Sequence, residues 1–233
     1  MQKHKLLIAE AGRIGAAFHW HDDNYSHAGA ARSLPDRIEL VGFVEPDKER
    51  SEAAYKKWGV PVFTDLDDGL EDTQANIVSI CTQPQDQANV FKMLDLVDAV
   101  YCEKPYMGGM VYKKPLQINF LRRADPFHQK IANLIDVRCS APDNYLFFIG
   151  KDDIHTRCHV EDLAEWWKCK IEYHRFDGPC SYFFRFRIAT GQYKEVFFSL
   201  GGVDGGLCMK NMLANLLDHL DNGTPLFSPA RQA

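Results

Sequence analysis

The chain has 233 residues, 45% hydrophobic and 25% charged, which suffices for one large domain or two small ones around a buried core and excludes disorder. A formal net charge of -5 leaves no basic footprint, so neither nucleic acid nor anionic membrane is an expected partner. No apolar run reaches the roughly 18 residues of a membrane span, and the start, MQKHKLLIAEAG, lacks an export-signal core.

The first hundred residues alternate between strand and helix patterns. Lys5 to Ala9 is an apolar strand, and Ile14 to about Ser33 is helix-like but broken by the polar HDDNYSHAG. Ile38 to Val44 is the second strand, Lys48 to Trp58 a helix and Val60 to Phe63 a short strand. Asp65 to Leu70 turns into a helix, Asn76 to Cys81 is a strand, Gln85 to Leu96 a helix and Asp98 to Cys102 a strand. Such alternation implies right-handed crossovers and a doubly wound parallel sheet covered on both faces.

After EKPYMGG the texture changes. Leu116 to Leu121 reads as a strand, Pro126 to Ile135 as a helix, Tyr145 to Ile149 as a strand and His159 to Lys168 as a helix. Lys170 to Phe176, Tyr182 to Ile188 and Glu195 to Leu200 are β-branched and aromatic runs separated by turn residues, the pattern of an antiparallel meander. Cys208 to Leu220 closes as a helix ended by Gly223 and Pro225. The expected architecture is α/β: a doubly wound domain over 1–106, then a smaller α+β domain with a largely antiparallel open-faced sheet over 107–233.

The seven cysteines are odd in number and no two form a CxxC pair. They read as reduced thiols of a cytoplasmic protein used as small hydrophobes. A metal site from His155, Cys158 and His159 lacks a second ligand pair, and no metal is expected.

The stretch LLIAEAGRIG carries the first functional signal. A dinucleotide turn uses one glycine for the bend, a second for close approach of backbone to pyrophosphate and a third for helix–strand packing. Gly12 and Gly15 fill the second and third places, with Arg13 and Ile14 between them, and Glu10 stands at the first. Glu10 brings a negative charge to a place meant for phosphate, on a residue type ill suited to the required backbone angles. Glu45 ends the second strand, 30 residues after Gly15, and an acid there grips a free ribose hydroxyl. That favours NAD over NADP. The competing reading of Glu45 is a turn residue before Pro46.

Three further stretches, ELVGFVEPDKERSEAAYKKWGVPVFTDLDDGL, NIVSICTQP and AVYCEKP, together with the turn, resemble the Gfo/Idh/MocA oxidoreductases over most of residues 5–106. HTRCHVEDLAEWW is similar to that family's active-site helix. The resemblance implies a Rossmann domain and an open-faced sheet. It also implies a hydride exchanged between a nicotinamide cofactor and a hydroxyl or carbonyl of a sugar, nucleotide sugar or cyclitol. Residue by residue it puts Gly12, Arg13, Ile14 and Gly15 at the pyrophosphate, with Glu45 and Arg50 at the ribose edge. Thr82, Gln83 and Pro84 fall at the nicotinamide, followed by Glu103 and Lys104 of the EKP motif with Pro105 in a cis bond. His159 matches the active-site histidine and Asp162 the aspartate after it. Lysine and a histidine at a helix start suit proton transfer near neutral pH. Taken singly, each is equally a surface or helix-end residue.

The chain also departs from the family pattern. His155 stands where an aspartate is usual, with Asp152 and Asp153 nearby, and we take His155 as a third candidate catalytic residue. Only ten residues, Tyr106 to Pro115, join EKP to LQINF, where the family usually has a helix. Three readings therefore stand: an NAD-dependent oxidoreductase, a non-catalytic cofactor-sensing or partner-binding relative, and a structural subunit that pairs with a full-length homologue. The aromatic faces of CSYFFRFRIA and KEVFFSLGG suit that pairing and equally the expected homo-oligomer. Arg122, Arg123 and Arg157 are candidates for an anionic substrate group, or surface charge.

Overall fold

A computed structural model describes residues 3–92, 95–106, 113–135, 144–150, 153–176, 178–199 and 202–230, with only the backbone of His155. The chain divides into two compact units, Met1–Leu121 with Gly205–Ala233, and Arg122–Asp204. This differs from the expected division after residue 106, for two reasons given below.

The first unit is built on a six-stranded parallel sheet. Its strands are β1 (His4–Ala9), β2 (Ile38–Val44), β3 (Val62–Phe63), β4 (Ile77–Ile80), β5 (Ala99–Cys102) and β6 (Leu116–Ile118), in the order β3-β2-β1-β4-β5-β6. That is the doubly wound order, which reverses between β1 and β4 and opens a crevice at their carboxyl ends. The helices are α1 (Arg13–Ala16), α2 (His27–Arg32), α3 (Lys48–Trp58), α4 (Leu66–Thr73) and α5 (Pro84–Phe91). Strand side chains alternate between faces, so Leu7, Val78 and Val100 pack with Leu66, Leu70 and Phe91 on one side. The other side is covered by α2 and α8 (Gly205–Asn222), which lie against each other, α2 on β1 and α8 on β5.

Here lie the two reasons for the shifted boundary. The run read as the opening strand of the second domain, Leu116 to Leu121, pairs as β6 in parallel with β5, Val100 facing Leu116. The closing helix α8 buries Cys208, Met209, Met212, Leu213, Leu216 and Leu217 and belongs to the first unit. Sequence order does not reveal that a chain end folds back.

The second unit contains α6 (Pro126–Leu134), capped by Asp125, and α7 (Ile154–Trp166), with a four-stranded sheet. The strands are β7 (Tyr145–Gly150), β8 (Lys170–Arg175), β9 (Ser181–Arg187) and β10 (Tyr193–Ser199), in the order β10-β9-β7-β8. The expected meander is only half present. β9 and β10 form a hairpin, but β8 runs parallel to β7, and β7 separates it from β9. The α7 crossover between β7 and β8 makes a parallel pair possible, which hairpin turns alone do not. Leu146, Phe148, Tyr182, Phe184 and Phe186 pack with Val160, Leu163 and Trp167 under the helices.

Candidate functional site

The crevice of the first unit is bounded by the turns after β1 and β4. Gly15 does the work expected of a third glycine: a Cβ there would lie 2.1 Å from the Glu10 carbonyl oxygen, so only glycine lets helix and strand approach. Gly12 precedes Arg13 at the helix start and faces the Glu10 carboxylate, 3.1 Å from where its Cβ would sit. Glu10 adopts φ 81°, the left-handed region that glycine fills without cost. The first-glycine conformation is therefore kept by a residue strained to adopt it.

The Glu10 side chain is tied down. Arg50 Nη1 reaches Glu10 Oε1 at 3.1 Å, and Arg50 Nη2 reaches Glu45 Oε1 at 3.0 Å. Burial pushes the Glu10 carboxyl up, Arg50 draws it down, and Glu45 pushes it up again; the net direction is upward. Glu45 was expected to face a ribose. Its side chain is instead wholly buried, accepting the Ala11 N–H at 2.9 Å and the Asp47 N–H at 3.0 Å as well as Arg50. It braces the β1 turn from within. Arg50, also expected at the cofactor, spans the two acids.

The helix after the turn is brief. α1 has four residues and ends at Ala17, also in the left-handed region. Two of its freed carbonyls are taken by α3: Trp58 Nε1–H donates to Ala16 O at 2.9 Å and Lys57 Nζ to Ala17 O at 3.0 Å. Arg13 is exposed and stacks on Trp20 at 4.9 Å; Ile14 is half-buried. The polar insert then leads to Ser26, whose hydroxyl caps α2 by accepting the Gly29 N–H.

On the β4 side, Thr82 Oγ1 is buried with no hydrogen-bond partner. Gln83 caps α5 by position only, and Pro84 occupies its first turn. An orphaned hydroxyl beside the crevice is the kind of atom a ligand satisfies. A dinucleotide laid across the crevice would find this hydroxyl on the β4 side and the Glu10 carboxylate beside the glycines on the β1 side.

Glu103 follows β5, and the Lys104–Pro105 bond is cis. The Glu103 carboxylate is buried and shared. Lys104 Nζ sits on Oε2 at 2.9 Å, while His27 Nε2 at 2.9 Å and Asn119 Nδ2 both meet Oε1. Burial opposes its charge, but the Lys104 ammonium, the His27 contact and Asn119 outweigh it and hold the carboxyl well below the usual range. An ionised carboxylate only accepts, so His27 Nε2 donates to it, while His27 Nδ1 meets Ser79 Oγ. Tyr101 O–H donates to Asn119 Oδ1 at 2.6 Å, which turns the Asn119 amide nitrogen to Glu103. Gln87 Nε2 donates to the Glu103 carbonyl at 3.0 Å.

Sequence reasoning missed His27, Ser79, Gln87, Tyr101 and Asn119. One signal existed for His27: a histidine after a Ser cap, opening an otherwise apolar HAGAA helix, is buried and needs partners.

In the second unit, α7 begins at Ile154 under the Asp153 cap, so His159 lies in its second turn rather than at its start. Asp153, noted in the sequence only as an acid near His155, accepts the Thr156 N–H at 2.8 Å as the helix cap. His159 is half-buried. Asp162 is buried and held by Arg123, through Nε at 2.9 and 3.0 Å and through Nη2 at 2.8 Å. Arg122 is buried beside the Tyr182 hydroxyl, and Arg157 lies over Tyr173 at 5.4 Å. Of the three arginines, Arg123 thus has an internal anion of its own. The His155 side chain, Asp152 and most of the short EKP connection lie outside the described residues. Burial pushes the Cys81 and Cys102 thiols well up, in line with packing roles.

Residues 8–108 match the oxidoreductase family with an NAD-binding Rossmann fold, known as Gfo/Idh/MocA. Among solved structures the chain is similar to the WlbA dehydrogenase from Bordetella pertussis in complex with NADH and UDP-GlcNAcA, at 14% identity and TM-score 0.69, over 99% of this chain and 92% of that one. It is also similar to a myo-inositol dehydrogenase from Corynebacterium glutamicum ATCC 13032, at 12% identity and TM-score 0.67, over 97% and 90%. GenD2 from gentamicin A biosynthesis, in complex with NAD, is similar at 13% identity and TM-score 0.70, over 97% and 88%. At these identities the likeness is one of fold. No curated protein sequence matches.

Proposed function

We propose that this chain, whose residues 8–108 match the Gfo/Idh/MocA oxidoreductase family, is an NAD-dependent oxidoreductase acting on a hydroxyl or carbonyl of a sugar, nucleotide sugar or cyclitol. The observation that carries the reading is Lys104. Its ammonium is held at 2.9 Å on a buried carboxylate immediately after β5, at the carboxyl edge of the sheet where such folds bind ligands.

A bound nicotinamide supplies the site for hydride; everything else falls to this chain. Backbone from Gly12 to Gly15 meets the diphosphate, and Thr82 offers its unused hydroxyl near the reactive end. Lys104 holds and moves the hydroxyl proton, with His159 and His155 as the second unit's proton-handling groups. NAD rather than NADP is the proposed cofactor because the similar dehydrogenases are bound to NADH or NAD. The substrate class follows the relatives: WlbA binds UDP-GlcNAcA and the Corynebacterium protein is an inositol dehydrogenase. Reduced thiols and the absence of any helix, among the described residues, long and apolar enough to cross a membrane support a cytoplasmic setting.

The outer face of the second sheet supports self-association. It carries Tyr145, Phe147, Phe183, Tyr193 and Phe197 by strand alternation, with Phe197 70% exposed. A second copy covers this face, so the mass in solution is a multiple of 26.6 kDa; a single-chain mass contradicts pairing.

The Glu10–Arg50–Glu45 cluster favours a second reading, a non-catalytic relative that keeps the fold. One experiment separates the two. Lys104→Ala is compared with the parent chain for NAD reduction over a panel of sugars, nucleotide sugars and cyclitols. The oxidoreductase reading predicts turnover in the parent and a loss of roughly 100-fold or more in the variant, with NAD affinity retained. No turnover in the parent overturns it, and equal turnover in both removes Lys104 from it.

A further inference from the structure

The Glu103 carboxylate has two oxygens with different neighbours. Oε2 meets Lys104 Nζ at 2.9 Å. Oε1 meets His27 Nε2 at 2.9 Å and also accepts from Asn119. A carboxylate held on one oxygen by two donors in a buried setting cannot rotate about its terminal bond. The orientation of Oε2, and with it the seat of the lysine, is therefore set by groups that never touch the lysine. We propose that His27 is a positioning residue for Lys104, acting with Asn119 through Glu103.

Each donor is itself fixed. Ser79 Oγ holds His27 Nδ1, which fixes the orientation of the ring with Nε2 on Glu103. The Tyr101 hydroxyl holds Asn119 Oδ1 at 2.6 Å, which selects the amide orientation. Gln87 fixes the Glu103 backbone at 3.0 Å. His27 is completely buried and comes from α2, just beyond the polar insert, so the fold brings it to Glu103 across 76 residues of chain. A histidine needed only to fill space there would be replaceable by an apolar side chain at no cost in burial. Its two polar atoms are both used, and one is spent on the carboxylate that holds Lys104.

The inference rests on the reading of Lys104 as the proton-transfer group, but its test does not need turnover. Lys104 acylation by acetic anhydride is followed between pH 6 and 10 by peptide mass spectrometry, with the surface lysines Lys48 and Lys56 as internal references. In His27→Phe, Glu103 loses a donor and Lys104 loses its fixed seat. Its acylation at pH 8 is expected to rise about threefold to tenfold, the size of a half to one unit shift in pKa. The reference lysines stay unchanged. His27→Gln, whose amide nitrogen falls at the place of Nε2, is expected to restore the parent profile. Asn119→Leu removes the other donor and is expected to move Lys104 in the same direction, which keeps the test alive if His27→Phe does not fold. A Lys104 profile unchanged in a folded His27→Phe or Asn119→Leu chain overturns the inference, and so does failure of His27→Gln to restore it. Failure of the oxidoreductase reading shows separately, as a parent chain without turnover, and failure of the Lys104 assignment as turnover that survives Lys104→Ala.

Discussion

Glu10 concentrates the conflict in this protein. It occupies a glycine's place, takes a glycine's backbone angles at φ 81°, and sets a carboxylate against Gly12. Left-handed backbone in a residue with a Cβ costs on the order of 1 kcal/mol or more. Arg50 offsets the charge but not the strain. Two consequences follow for NAD. Glu10→Gly removes strain and charge together, so both stability and NAD affinity rise. The pH dependence has a definite sign. The Glu10 carboxyl is shifted upward by burial first, partly countered by Arg50. A raised acid binds its proton more tightly in the folded chain, so its contribution to stability is full in acid and is lost as pH rises through the folded value. The protonated form also presents no charge to a diphosphate. NAD affinity should therefore strengthen as pH falls from 7 towards 5, and Glu10→Gln should flatten that slope. A parent slope of opposite sign, or one that Glu10→Gln leaves intact, removes Glu10 from the account.

At the scale of elements, the parallel sheet was legible because its strands are short apolar runs separated by capped helices. α3 falls on its expected residues, Lys48–Trp58, with Asp47 as cap and Gly59 at the end. What the pattern hid was pairing. β6 looks like the start of a new domain because the EKP connection interrupts the βα rhythm, yet it extends the same sheet. β8 looks like part of a meander because its neighbours in sequence are strands, yet it joins β7 in parallel. α7 was placed five residues late because its first turn, IHTRC, is polar, and Asp153 was not recognised as its cap. The site was legible to the same degree. Gly15, Glu103 and Lys104 stand out because their neighbours in sequence carry the motif. Glu45 was found, but not that it faces inward. His27 and Asn119 were missed because a buried network is made by residues far apart in sequence, 76 and 16 positions from Glu103.

For the whole molecule, the two units divide the chemistry. The first carries the crevice, the strained turn and the Glu103–Lys104 seat; the second carries His159, the Arg123–Asp162 pair and an aromatic sheet face. The last helix, α8, returns to the first unit and supplies Met209 to the surroundings of Tyr101 and Asn119. The central claim is that this crevice still accepts a nicotinamide dinucleotide despite Glu10. A calorimetric titration of the parent chain with NAD, NADH, NADP and NADPH tests it most directly. The account predicts saturable binding of the NAD pair, weaker than in Glu10→Gly and lost with the 2′-phosphate. No heat of binding for any of the four, in the parent and in Glu10→Gly alike, contradicts it.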